Sequence, residues 1–208
     1  MQSKIIEAVE DGIRAVEQLK SAESIEFISS IALAIAACYK EGGKLIIAGN
    51  GGSLCDAGHF AEELTGQFRQ PRAALPAIAL NDPGFLTCTA NDFGFDTVFA
   101  RGVAAFGKPE DIFIGLTTSG NSMNLIKAFE LAKRKQLKTI SFLGKGGGAL
   151  KGVADYELII EGFKTSDRIQ EAHMTAIHIA IEMVEKELFY GVHSPFPRSL
   201  QFLPNPVS

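Results

Sequence analysis

An α/β fold is predicted for this chain from three observations. Five short apolar runs read as strands, longer helix-like segments separate most of them, and two helical stretches precede the first strand. Strand and helix in alternation make a parallel sheet with covering helices. In such sheets ligands sit beyond the carboxyl ends of the strands, and here two of those ends are crowded with glycine, asparagine and hydroxyl residues.

The elements follow in order. Residues 4–20 carry Ile5, Val9, Ile13, Val16 and Leu19 at spacings of three or four, and residues 24–40 carry Ile28, Ile31, Leu33 and Ile35 among alanines, so each stretch is a helix. The first strand spans 44–48 and stops at the glycines of GNGGS (49–53), after which a helix-compatible stretch starts at Ser53. Further strands are expected at 77–80, 111–117, 138–143 and 157–160. The fourth is followed by GKGGGALKG (144–152), a permissive turn to which no catalytic role is assigned. Ile169, Ala172, Ala176, Ile179 and Met183 then recur at helical spacing, and this pattern fades near Phe189. A single domain is expected over residues 1–190. Residues 191–208 hold four of the eight prolines, so they form an irregular tail, either disordered or draped on another surface, with His193 as a surface residue.

Composition narrows the function classes. At 208 residues, with 46% hydrophobic and 21% charged, the chain can build a substantial core. Its net charge is −4, and it has neither a Lys/Arg cluster nor basic and aromatic residues interleaved, so nucleic-acid binding is disfavoured. The polar start MQSKIIEAVEDG lacks a signal-peptide core, and no apolar run is read as long enough to cross a bilayer, so no membrane partner is expected. Cys38, Cys55 and Cys88 form no CxxC pair and are read as buried free thiols of a cytoplasmic protein.

Two groups of residues carry chemistry. His59 and Glu63 are four apart on one helix face. Gln170 and His178 are eight apart, a drift of roughly 80° that leaves them on a shared face. If the pairs converge, they can hold a metal ion or move protons. In TTSGNS (117–122), Thr118, Ser119 and Ser122 follow a strand and precede a helix near Asn124, so their hydroxyls and free helix amides can face one anion, which Gly120 lets approach closely. No Lys or Arg lies in that loop, so a phosphate would be held by neutral donors and the helix dipole. GNGGSL resembles the start of a dinucleotide fingerprint, but Leu54 stands where its third glycine belongs, and QPRAAL downstream offers no acidic residue for a ribose. GxxxxGK[ST] is absent too.

GNGGS, HFAEEL, ANDFGF, TTSGNS and DRIQEAH, in that order, resemble the phosphoheptose isomerases of the sugar-isomerase (SIS) domain family, over residue 2 to about Phe189. The resemblance implies a three-layer SIS-type fold with a five-stranded parallel sheet. It implies conversion of sedoheptulose 7-phosphate to D-glycero-D-manno-heptose 7-phosphate, the first step towards the heptose of lipopolysaccharide core or related glycoconjugates. It also implies a homotetramer with active sites between subunits, the two key helices coming from different protomers. Carried over residue by residue, Glu63 and His178 are the acid/base pair, and His59, Glu63, Gln170 and His178 are ligands of a zinc ion. Asn50, Gly51, Gly52, Ser53, Asn91, Asp92, Thr117, Thr118, Ser119, Ser122, Asp167 and Gln170 surround the substrate. Zinc bound throughout by Glu63 and His178 would leave neither as a free base, so ligand exchange or a second carboxylate such as Glu62 or Asp167 would then take part. Leu54 and Thr117 depart from the usual pattern, Thr117 keeping a hydroxyl, and the tail beyond Tyr190 exceeds the usual end.

Two other classes compete with the enzyme. A non-catalytic SIS adaptor that binds the replication initiator resembles HFAAS where this chain has HFAEE, and lacks a counterpart of His178. A sugar-phosphate sensor would use TTSGNS without turnover. The acidic pair and His178 favour the enzyme, and His173, on another face of its helix, is read as structural or interfacial.

Overall fold

The computed structural model describes residues 1–190. Helix α1 (Gln2–Glu17) runs into a 3₁₀ turn at Gln18–Lys20, and α2 (Ala22–Lys40) follows. Ser21 sets this junction, because its Oγ accepts from the Ser24 amide at 3.1 Å and satisfies a free donor of the new helix. The chain continues through β1 (Leu45–Gly49), α3 (Gly52–Thr65), β2 (Ala77–Ala79), α4 (Pro83–Phe93), α5 (Val98–Phe106) and β3 (Ile112–Thr117). It then forms α6 (Met123–Arg134), β4 (Lys138–Gly144), β5 (Tyr156–Ile160) and α7 (Ser166–Glu185), with a π-helical turn at Lys186–Tyr190.

The sheet is parallel throughout, in the order β2-β1-β3-β4-β5. Connections leave β1 to one side and β3 to the other, so a crevice opens between their carboxyl ends, the switch point where this strand order accommodates ligands. Side chains alternate across a strand, and Leu45, Ile47, Ile112 and Ile114 enter one core with α2, α3 and α7. Ile46, Ala48 and Phe113 enter the other with α5 and α6. Covering on both faces demands an apolar residue at almost every position, which is why these strands appear in the sequence as continuous runs.

Three sequence expectations change. Helix α2 is, by length and composition, apolar enough to cross a bilayer, contrary to the reading that no such run exists. In the fold it is a core helix, with Phe27, Ile28, Ile31, Ile35 and Tyr39 buried. Of the three free cysteines only Cys38 is buried, and burial pushes its thiol up to about 12. Cys55 and Cys88 are exposed, because neither occupies the core face of its helix. The third change concerns α3 and α7, which pack together within one chain. The expected tail and His193 lie outside the described residues.

Candidate active site

The carboxyl ends of β1 and β3 and the first turns of α3, α6 and α7 enclose a cavity of about 320 Å³, whose lining includes Asn50, Ser53, Thr118, Ser119, Ser122 and Gln170. Gly52, Thr117 and Ser166 reach the same space. Thr117 Oγ1 accepts from the Gly120 amide at 3.2 Å and lies 3.4 Å from Ser122 Oγ, which folds the loop back onto the start of α6. Thr118 and Ser166 share a hydroxyl hydrogen bond of 2.9 Å. Among the described residues no cationic side chain lines the cavity, so an anion there meets hydroxyls, amides and the amino end of α6.

The cradle is braced from outside. A reciprocal amide pair at 3.0 and 2.9 Å joins Asn50, after β1, to Asn124 in α6. Leu150 N donates to Gly120 O at 3.1 Å and Ala149 N to Asn121 Oδ1 at 3.0 Å, so the glycine-rich 144–152 segment is a buttress for the hydroxyl loop. At residue 52 a Cβ would lie 2.7 Å from Gln170 Nε2. Glycine there leaves room for the Gln170 amide, which donates to Ser53 Oγ at 3.1 Å.

Further along α3 and α7 a second cluster forms. His59 Nε2 is 3.2 Å from Glu63 Oε1 and 3.5 Å from His178 Nε2. The donor atoms of His59, Glu63 and His178 all lie within 4.8 Å of one another. This convergence needs only one chain, whereas the expectation was that the two helices come from different protomers. Burial, aided by neighbouring His59 and Arg69 and opposed by Glu63, holds the His178 imidazole below its ordinary range, so it is neutral at neutral pH. Two imidazoles and a carboxylate are donors that suit a catalytic zinc, and an exposed His59 edge leaves the cluster open to a further ligand. Gln170, one candidate fourth ligand, is bonded to Ser53 and stands eight residues before His178.

Other residues singled out from sequence lie elsewhere in this chain. Asn91 and Asp92 are exposed near the end of α4, bonded to each other at 2.8 Å. Asp167 points to solvent beside Arg168, and its carboxyl is held below the usual range by Thr165 and the nearby amides and guanidinium. Gly51 starts α3 without lining the cavity. Residues that sequence reasoning missed include Ser166, adjacent to the noted Asp167, and Asn124, noted only as a helix start. Asp56 was missed too, three residues before His59; burial pushes its carboxyl up to about 6, and its Oδ2 has no partner. His173 is structural, fully buried with Nε2 2.9 Å from Leu143 O.

Residues 9–144 match the family model for the SIS domain. The chain is 56% identical over 159 residues to a phosphoheptose isomerase of Fusobacterium nucleatum, covering 76% of this chain and 81% of that protein. The chain belongs to the phosphoheptose isomerase family. The corresponding enzyme of Vibrio cholerae is 51% identical over 170 residues, 82% of this chain and 89% of its own. A solved phosphoheptose isomerase from Francisella tularensis superposes with a TM-score of 0.83 at 35% identity, over 89% of this chain and 98% of that one. Membership bears out the fold and the enzyme class expected from the sequence motifs.

Proposed function

We propose that this isomerase converts sedoheptulose 7-phosphate to D-glycero-D-manno-heptose 7-phosphate through an enediol, in the cytoplasm, as an early step of heptose supply for lipopolysaccharide core or related glycoconjugates. The observation that carries the reading is the His59–Glu63–His178 cluster on the same two helices that border the hydroxyl-lined cavity. Thr118, Ser119, Ser122 and the amino end of α6 bind the phosphate, with Asn50, Gly51, Gly52, Ser53 and Thr117 shaping the space around it. Asn91, Asp92 and Asp167 complete the substrate pocket in the assembled oligomer.

Glu63 removes the proton from C1 of the ketose, and the C–H electron pair becomes the C1–C2 double bond while the C2 oxygen takes a proton. His178 exchanges the hydroxyl protons, and Glu63 returns its proton to C2 as the C1 carbonyl forms. Each positioned acid or base contributes about 10²- to 10⁴-fold. Zinc held by His59, Glu63 and His178, with Gln170 as fourth ligand once released from Ser53, would supply Lewis acidity towards the sugar carbonyl, and Glu63 would then act as base only through ligand exchange or give way to Glu62 or Asp167. A homotetramer is supported by Ile5, Ile6, Val9 and Ile13, each more than half exposed on α1, and by an apolar groove of about 570 Å³ between α2 and α7. The test is an assay of purified protein on sedoheptulose 7-phosphate, metal-free and zinc-reconstituted. Turnover is expected, and inactivity across added divalent metals would refute the reading.

A further inference from the structure

Past α3 the chain turns back along α7, and three side chains of residues 68–72 meet that helix in order. Phe68 stacks on the His178 ring, centroids 5.7 Å apart with 25° between planes. Arg69 pairs with Glu182 at 2.7 Å near the surface, and Arg72 pairs with Glu185 at 2.7 Å. The last pair differs in kind, since the side chains of Arg72 and Glu185 are only 0% and 4% exposed. Arg72 spends its remaining donors on carbonyls: Nη2 reaches Glu63 O at 2.7 Å, and Nη1 reaches Leu64 O at 2.8 Å, Ala73 O at 3.1 Å and Gly66 O at 3.3 Å. Glu63 and Leu64 belong to the last turn of α3, whose carbonyls have no partner within the helix.

One buried guanidinium therefore caps the helix end that carries Glu63 and binds it to the helix that carries His178. We propose that Arg72 is a positioning residue for proton transfer, fixing Glu63 against His178 through its carbonyl contacts and its pair with Glu185. Stability alone does not require such a pair, because a buried ion pair is often replaceable by apolar residues of similar volume, whereas removing one member strands a charge. A lysine at 72 could keep the charge opposite Glu185 but lacks the planar fork that reaches four carbonyls. The hydroxyl cradle lies at the opposite ends of α3 and α7, so substrate capture is separable from this clamp.

The inference rests on the isomerase reading, and the experiment separates the two. Arg72→Met, Glu185→Met, the double variant and Arg72→Lys are compared with wild type for melting temperature, protection by inorganic phosphate, and kcat and KM on the ketose phosphate. Each Met single variant should melt lower and the double variant should recover most of that loss. All four should keep phosphate protection and a KM within about twofold, yet lose about tenfold to a hundredfold in kcat from misalignment. Wild-type kcat in the double variant or in Arg72→Lys, or an effect confined to KM, overturns the proposal. If wild type itself shows no turnover, the isomerase reading fails alone, and the crystal structure of Arg72→Lys then decides the alignment. A His59–Glu63–His178 cluster left in place there overturns the positioning role, and a displaced one supports it.

Discussion

Replacing Gly120 by alanine should disable the anion cradle. Gly120 has φ of +65°, and a Cβ there would lie 1.7 Å from Gly147 O. Two costs add. A left-handed backbone costs alanine about 1–2 kcal/mol, and the contact must open by about 1.5 Å or more to reach ordinary separation. The opposing segment cannot simply recede, because Leu150 N and Ala149 N are bonded to Gly120 O and Asn121 Oδ1. The hydroxyl loop moves instead, and with it Thr118 and Ser119. A loss of about 2 kcal/mol in a domain of this size lowers the melting temperature by about 4 °C or more. Misplacement on the scale of about 1 Å costs up to about a hundredfold, so binding of inorganic phosphate, read as thermal protection across a concentration series, should weaken at least about tenfold. A Gly120→Ala protein that melts and binds phosphate like wild type would refute both the strain argument and the cradle.

Two further outcomes are expected. Glu63→Gln should lower kcat by about 10²- to 10⁴-fold with the melting temperature and phosphate protection retained, measured by product formation from the ketose phosphate. Fully buried His173, pushed down to about 4 by burial, gives a pH-dependent stability with a definite sign. The unfolded chain takes up the proton first, so stability is complete above the ordinary value of 6.5 and is lost as pH falls towards 4, by about 2 kcal/mol between pH 7 and pH 5. Asp56 acts in the opposite sense, its raised carboxyl adding about 1 kcal/mol as pH falls below about 6, so it offsets only part of the wild-type loss in urea titrations over this range. His173→Gln keeps a donor for Leu143 O without titrating, and should hold its stability on acidification better than wild type; identical pH profiles would count against the assignment.

Much of the fold was legible because burial on both faces writes a strand as an unbroken apolar run, and the five strand positions follow from that. The cradle was legible for a related reason. Strand ends facing a ligand cannot be apolar, and Asn50, Ser53, Thr118 and Ser122 interrupt the pattern where β1 and β3 stop. The i, i+4 relation of His59 and Glu63 is a property of one helix and needs no tertiary knowledge. What escaped depends on how helices meet. The approach of His178 to His59 inside one chain, the exposure of Cys55 and Cys88, and the removal of Asn91 and Asp92 to an outer helix are set by packing across the sheet. Arg72 was hidden more deeply: in QPRAAL it is one cation beside a proline, and only the return of that segment along α7 gives it four carbonyls and a buried carboxylate.

The parallel course of α3 and α7 has a consequence for substrate length. Ser53 meets Gln170 at one rung and His59 meets His178 at the next, six and eight residues on, which are rises of about 9 and 12 Å. In a seven-carbon sugar phosphate the phosphorus and the C1–C2 bond are separated by roughly 10 Å when the chain is extended, from bond lengths of about 1.5 Å. One end can then rest in the cradle while the other reaches Glu63 and His178. A five-carbon ketose phosphate held by the same hydroxyls falls short by two bonds, roughly 2.5 Å, which proton transfer cannot span. It should therefore bind, protecting the protein against heat and competing with the longer sugar, yet turn over at least about a hundredfold more slowly. Equal turnover of the five- and seven-carbon ketose phosphates would mean that the two rungs do not measure the substrate.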